Sequence, residues 1–110
     1  MEHYEVKLTN HAVEQMAEIA DYMVNTLHAP ATAKSFQQMM YSEMAKYATM
    51  PNRMQLLEDE PWHSRGIRKI QVKNFYAYYW VDETKKAVWF IAVVYARRDQ
   101  LNELMQLPEQ

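Results

Sequence analysis

Residues 66–99, GIRKIQVKNFYAYYWVDETKKAVWFIAVVYARRD, hold seven of the twelve Lys and Arg side chains in this sequence and eight of its fourteen aromatic rings, groups that can bind an anion or stack on a flat partner. Lys69, Lys73, Arg97 and Arg98 supply fixed positive charge, the kind that stabilises charge growing on a phosphate in a transition state. Tyr95, and His63 just upstream in a WHS loop, can give or take a proton. Tyr76, Tyr78, Tyr79, Trp80 and Trp89 supply rings that stack on bases or anchor a protein segment, with arginine nearby. His3, His11 and His28 lie in or near the first strand and helix and have no paired metal spacing. No cluster of His, Asp and Glu suggests a metal, and no cofactor is expected.

The charge is unevenly spread. Residues 65–98 contain eight Lys and Arg, namely Arg65, Arg68, Lys69, Lys73, Lys85, Lys86, Arg97 and Arg98, against Asp82 and Glu83. The rest of the chain holds four basic residues against twelve acidic ones, so the net charge of −2 and a pI near 6.1 hide a basic segment on an acidic body. Such a segment creates a local positive field on an anionic molecule. Glu58, Asp59 and Glu60 read as a solvated acidic run.

These residues need a scaffold, and 110 residues suffice for one domain with one modest core. Hydrophobic residues make up 49% and charged ones 24%, an ordinary globular composition. The absence of cysteine excludes disulfides and thiolate metal sites. Residues 1–8 carry charges where a signal peptide needs an apolar run, and no apolar stretch approaches the roughly 20 residues of a membrane helix. A cytoplasmic protein is expected.

Residues 3–8, HYEVKL, alternate like a half-buried strand. Thr9 or Asn10 can cap a helix with Val13, Met16, Ala20, Met23 and Leu27 on its apolar stripe. Pro30 suits the first turn of a second helix that carries Ala33, Phe36, Met40, Met44 and Tyr47 and ends near Met50 and Pro51. Residues 51–65 have no period and form a loop, and Gly66 opens the next strand. Along residues 67–73, Ile67, Lys69, Gln71 and Lys73 share one face, and Arg68, Ile70 and Val72 share the other. Two long strands follow, 75–81 and 87–96, joined by the polar turn DETKK. The tail DQLNELMQL can form a short helix, with Asp99 as cap and Leu101, Leu104 and Met105 as its apolar face.

The order β-α-α-β-β-β, with or without a final helix, predicts an α+β domain spanning residues 1–110. A helical hairpin should pack on one face of a mainly antiparallel sheet. The helices can cover one face only. The other, with Tyr76, Tyr78 and Trp80, should present rings and cations to a protein segment or a nucleic acid.

Four pieces in order, YEVKLTNHAVEQMAEIADYM, APATAKSF, GIRKIQVKNFYAYYWVDE and VVYARRD, run from Tyr4 to beyond Asp99, about nine-tenths of the chain. Together they resemble the RelE/ParE toxins of bacterial type II toxin–antitoxin modules. The resemblance implies a small RelE/ParE-like α+β domain that a cognate antitoxin wraps and holds inactive in a hetero-oligomer. Released, such a toxin inhibits growth, as in plasmid stabilisation. In the RelE-like branch the target is messenger RNA on the ribosome; in the ParE-like branch it is DNA gyrase, blocked without RNA cleavage.

The two branches ask different things of the chain. Metal-independent cleavage of RNA by its own 2′-OH needs a base, cations around the phosphorane and an acid for the leaving oxygen. By the resemblance, Lys69 and Lys73 approach the phosphate, and Arg97 or Arg98 matches the family arginine at the end of the last strand. Where RelE-like enzymes often place a tyrosine in the C-terminal helix, this sequence has Glu103 and Leu104, leaving Tyr95 or His63 to act as acid. Gyrase inhibition needs only a binding surface. The ending VVYARRD is closer to the GRRD-like ending common among ParE-like sequences, which leans the reading towards a gyrase inhibitor. A ribosome-dependent mRNA endonuclease and an inert antitoxin-binding member remain the alternatives, so the sequence leaves open whether the chain is an enzyme. On this reading Arg68, Lys69, Lys73, Arg97 and Arg98 face the target, and Tyr76, Tyr78, Trp80 and Trp89 receive the antitoxin.

Overall fold

The computed structural model describes residues 3–96. The expected C-terminal helix, its cap Asp99, Glu103, and the arginines Arg97 and Arg98 all lie outside the described residues. The chain begins with β1 (Glu5–Leu8), followed by α1 (Asn10–Asn25) and α2 (Pro30–Ala45). A single 3-10 turn over Lys46–Ala48 closes α2. After the loop come β2 (Arg68–Val72), β3 (Phe75–Asp82) and β4 (Ala87–Tyr95). The sheet order is β1-β4-β3-β2. The last three strands form the expected antiparallel meander, while β1 lies parallel to β4 and makes the sheet mixed.

Local chemistry explains the helix boundaries. Thr9 caps α1, its hydroxyl accepting the Ala12 N–H at 3.2 Å. Pro30 opens α2, where its missing N–H costs nothing. On α2 the expected stripe holds, with Ala33, Phe36, Met40, Met44 and Tyr47 all buried. On α1 it shifts: Ala12, Met16, Ile19, Ala20 and Met23 are buried, whereas Val13 and Leu27 are 45% and 54% exposed. The buried stripe is thus centred one residue earlier than expected and takes in Ala12 and Ile19.

The helices cover one face of the sheet. Met16, Met23, Phe36, Met40 and Met44 pack there on Ile70, Val72, Phe75, Ala77, Tyr79, Val88, Phe90 and Val93. Phe36 meets Phe75 at a ring separation of 4.7 Å. The opposite face is not open along its length. Trp62 and Ile67, from the loop before β2, cover Tyr78, Ile91, Ala92 and Val94 to make a second, smaller core. The helices cover one face as expected, and the other is partly covered too, because the aperiodic loop folds back through a single large anchor, Trp62, only 5% exposed.

A bulge shapes β4. Tyr78 pairs with Ala92 and Tyr79 with Phe90, which leaves Ile91 unmatched. Ile91 and Ala92 therefore both join the second core, while Phe90 and Val93 turn to the helices. The start of α1 satisfies the backbone groups around the bulge. Thr9 N–H donates to the Phe90 carbonyl at 3.0 Å, and the Thr9 hydroxyl donates to the Ile91 carbonyl at 3.4 Å. Val93 N–H donates to Gln15 Oε1 at 2.8 Å.

Candidate target and partner interface

The loop entering β2 is held at several points. Glu60 accepts from the Ser64 N–H at 2.9 Å and from its hydroxyl at 2.8 Å; these bonds hold its carboxyl below the usual range. Gly66 takes a φ of 76°, a left-handed conformation that glycine adopts without Cβ strain. It lies two residues before Arg68, the first residue of β2, close to its expected role as the strand opener. Leu57 N–H then donates to the Ile67 carbonyl, and Leu56 bridges to Arg68.

Alternation along β2 separates the cations. Lys69 pairs in register with Tyr78 and lies on the second-core face, its ammonium 4.3 Å from the centre of the Tyr76 ring. Arg68 turns to the helix side, donates to the Met54 carbonyl and lies near the Tyr79 phenol. Lys73 does not continue the strand. It sits with Asn74 in a two-residue turn between Val72 and Phe75, at a φ of 54°. The turn places it at the tip of the hairpin, exposed, rather than in the row of Ile67, Lys69 and Gln71.

The proton carriers are dispersed as well. Tyr95 stacks on Phe75 at 4.6 Å and packs against the helix-side core, on the face opposite Lys69. His63 is exposed, with Nδ1 2.8 Å from the Leu57 carbonyl. It lines an open cleft with Gln55, Leu56, Glu58, Glu60 and Arg68.

Among the rings, Tyr78 is 1% exposed and belongs to the second core. Burial pushes its phenol pKa well up, with the neighbouring Tyr76 adding to the shift. Tyr76, Trp80 and Trp89 are half-buried and rim that core. Trp80 and Trp89 are cross-strand partners, and Lys7 on β1 is the register partner of Trp89, its ammonium 5.3 Å from the ring centre. Arg65 lies over Trp62 in the same way, at 5.6 Å. Each such pair contributes about 0.5–1 kcal/mol at an exposed site. The sequence marks neither Lys7 nor Arg65 as an interface residue, although Arg65 belongs to the basic segment. The signal for Lys7 was its place opposite Tyr4, Val6 and Leu8 in the first strand, but nothing in the sequence says that this strand lies beside Trp89.

The surface thus carries cation-capped rings at both ends of one sheet face. Lys69 with Tyr76 stands at the β2 end and Lys7 with Trp89 at the β1 end, with Trp62 and its loop between them. This arrangement offers flat apolar area and positive charge to a partner.

The sequence matches the family of the ParE toxin of the type II toxin–antitoxin system, parDE, over residues 6–100. The chain belongs to this family. No curated protein sequence matches the chain. Among solved structures, the chromosomal ParDE toxin–antitoxin system from P. aeruginosa aligns with a TM-score of 0.70 at 20% identity, over 86% of this chain and 97% of that one. The isolated E. coli RelE toxin aligns with a TM-score of 0.58 at 16% identity, over 93% and 94% of the two chains. The intact E. coli RelBE toxin–antitoxin complex gives 0.58 at 16%, over 86% and 99%. At such identities the likeness is one of fold. It agrees with the RelE/ParE-like α+β architecture expected from the ordered sequence pieces.

Proposed function

We propose that this toxin is neutralised by a cognate antitoxin and, when free, stops growth by inhibiting DNA gyrase. The match to the ParE toxin family across residues 6–100 is the observation that carries this reading. The geometry supports it. An acid–base nuclease needs its proton carriers and cations around one phosphate. Here Tyr95 stacks on Phe75 on the helix side, and Lys69 lies on the opposite face. A binding surface needs no such convergence. In this reading Arg68, Lys69 and Lys73, with Arg97 and Arg98 following β4, contact the target. The accessible rings Tyr76, Trp80 and Trp89 receive the antitoxin, and Tyr78 supports them from below.

The test is expression of the chain alone in a bacterium, with pulse labelling of new DNA and new protein over the first minutes. Early loss of DNA synthesis with translation intact is expected. Early loss of translation with cleaved messages would overturn the gyrase reading in favour of a RelE-like nuclease, and growth without either defect would identify an inert member. Charge-removing changes at Lys69 and Lys73 should weaken toxicity in a chain that stays folded.

A further inference from the structure

Helix α1 has a second apolar stripe that shares only Ala20 with the protein core. Val13, Ala17, Ala20, Val24 and Leu27 recur at intervals of four, three, four and three, the spacing of a coiled-coil seam. At about 100° per residue this row lies beside the buried stripe of Met16 and Met23. Ala20 marks the boundary at 8% exposure, while Val13, Val24 and Leu27 are 45%, 38% and 54% exposed. The two alanines at the centre leave a shallow saddle between larger residues at its ends, a shape that admits the large side chains of a second helix. The row continues through Leu27, just past the helix end.

The solvent-side rim of this seam is acidic. Glu14 and Asp21 each follow a seam residue by one position, and Glu18 follows Ala17, so all three lie along the same edge. None of them forms an ion pair among the described residues. Residues 10–25 contain no lysine or arginine to offset them.

We infer that this face of α1 docks an amphipathic helix of a protein partner, with apolar residues on one stripe and lysine or arginine beside it. Charge selects this occupant over a second copy of the chain. Two copies laid seam to seam and antiparallel about a twofold axis would bring both sets of Glu14, Glu18 and Asp21 to the same side of the contact, where like charges repel; a parallel pair would set each acidic rim against the edge of its partner that holds the buried Met16 and Met23, with no cation to meet it. A basic helix pairs its cations with that rim instead and sets its apolar stripe in the saddle, the helix-in-groove mode of recognition. The site is separate from the cations and rings of the sheet and holds whichever cellular target the toxin has.

The test uses the full chain and two synthetic helical peptides. Both carry leucine at four-three-four-three spacing; one has lysine along the flank and the other glutamate. Binding is followed by titration calorimetry and by amide chemical-shift mapping. The lysine peptide should bind wild type at least ten-fold more tightly than the glutamate peptide and perturb amides along residues 13–27. The double variant Val24→Glu/Leu27→Glu, altered at exposed positions that folding tolerates, should lose binding at least ten-fold. The triple variant Glu14→Lys/Glu18→Lys/Asp21→Lys should reverse the preference and favour the glutamate peptide. Circular dichroism confirms that both variants fold. Equal binding of the two peptides, binding that survives Val24→Glu/Leu27→Glu, shifts mapping elsewhere, or no binding at all would overturn the inference. Concentration-dependent dimerisation of wild type that Val24→Glu/Leu27→Glu abolishes would also overturn it, because a second copy would then be the occupant.

Discussion

Replacing Gln15 with leucine tests how the sheet is joined to α1. Gln15 Oε1 is the acceptor for the Val93 N–H, at 2.8 Å, next to the bulge where β4 leaves regular pairing with β3. Val93 is 1% exposed, so its N–H has no route to water when that acceptor is lost. A buried donor left unsatisfied costs about 1–3 kcal/mol. Leucine has nearly the helix propensity of glutamine, so the change isolates the lost hydrogen bond from any intrinsic effect on α1. For a domain of this size each kcal/mol lowers the melting temperature by about 4–8 °C, so Gln15→Leu should melt roughly 4–24 °C below wild type. Gln15→Glu keeps an acceptor and should melt above Gln15→Leu at neutral pH. Thermal melts followed by circular dichroism measure both, and hydrogen exchange at the Val93 amide should quicken in Gln15→Leu relative to the middle of β3. If Gln15→Leu melts within about 1 °C of wild type, or if the two variants lose the same amount, the side chain is not what satisfies the bulge.

Other outcomes follow from the second core and the titrating groups. Trp62→Ala removes the anchor of the loop and should cost about 3–5 kcal/mol, read as a lower urea midpoint. Glu83 accepts from the Tyr4 hydroxyl and from Asn52, and Lys86 lies 3.7 Å away; these hold its carboxyl below the ordinary value of 4.5. Because the folded value is the lower one, this contribution is complete above about 4.5 and is lost as pH falls through the folded value. Glu83→Gln should therefore flatten the acid limb of the melting-temperature profile. In alkali the sign reverses. Burial, with Tyr47 beside it, pushes the Tyr79 phenol from 10.0 up to about 12. Its contribution is complete below about 10, the unfolded value, and is lost as pH rises through about 12. Absorbance at a phenolate wavelength should show Tyr78 and Tyr79 both ionising late, with Tyr79→Phe removing the earlier of the two late steps.

Much of this architecture is legible in the residues, because the relevant signals are local. The α2 stripe from Ala33 to Tyr47, Pro30 at the helix start and the polar turn after Asp82 each follow from spacing or backbone chemistry. Strand alternation also separates Arg68 from Lys69 before any coordinates are known. What the sequence hides is long-range. Nothing local states that residues 5–8 lie parallel to β4, so Lys7 could not be placed over Trp89. The loop around Trp62 has no period, so its role as the cover of Tyr78 emerges only in three dimensions. Lys73 continues the polar row of β2 in sequence, but the two-residue turn takes it out of the strand. On α1, two overlapping apolar rows share Ala20. Reading them as one placed Val13 and Leu27 in the core, although the sheet buries only the row through Met16 and Met23.

The proposed action on DNA gyrase is tested at its target by supercoiling with the purified enzyme and the purified chain added. Dose-dependent inhibition, relieved when the cognate antitoxin is present, is expected, while a cell-free translation reaction keeps its messages intact. Uninhibited gyrase together with cleavage of ribosome-bound messenger RNA would contradict it.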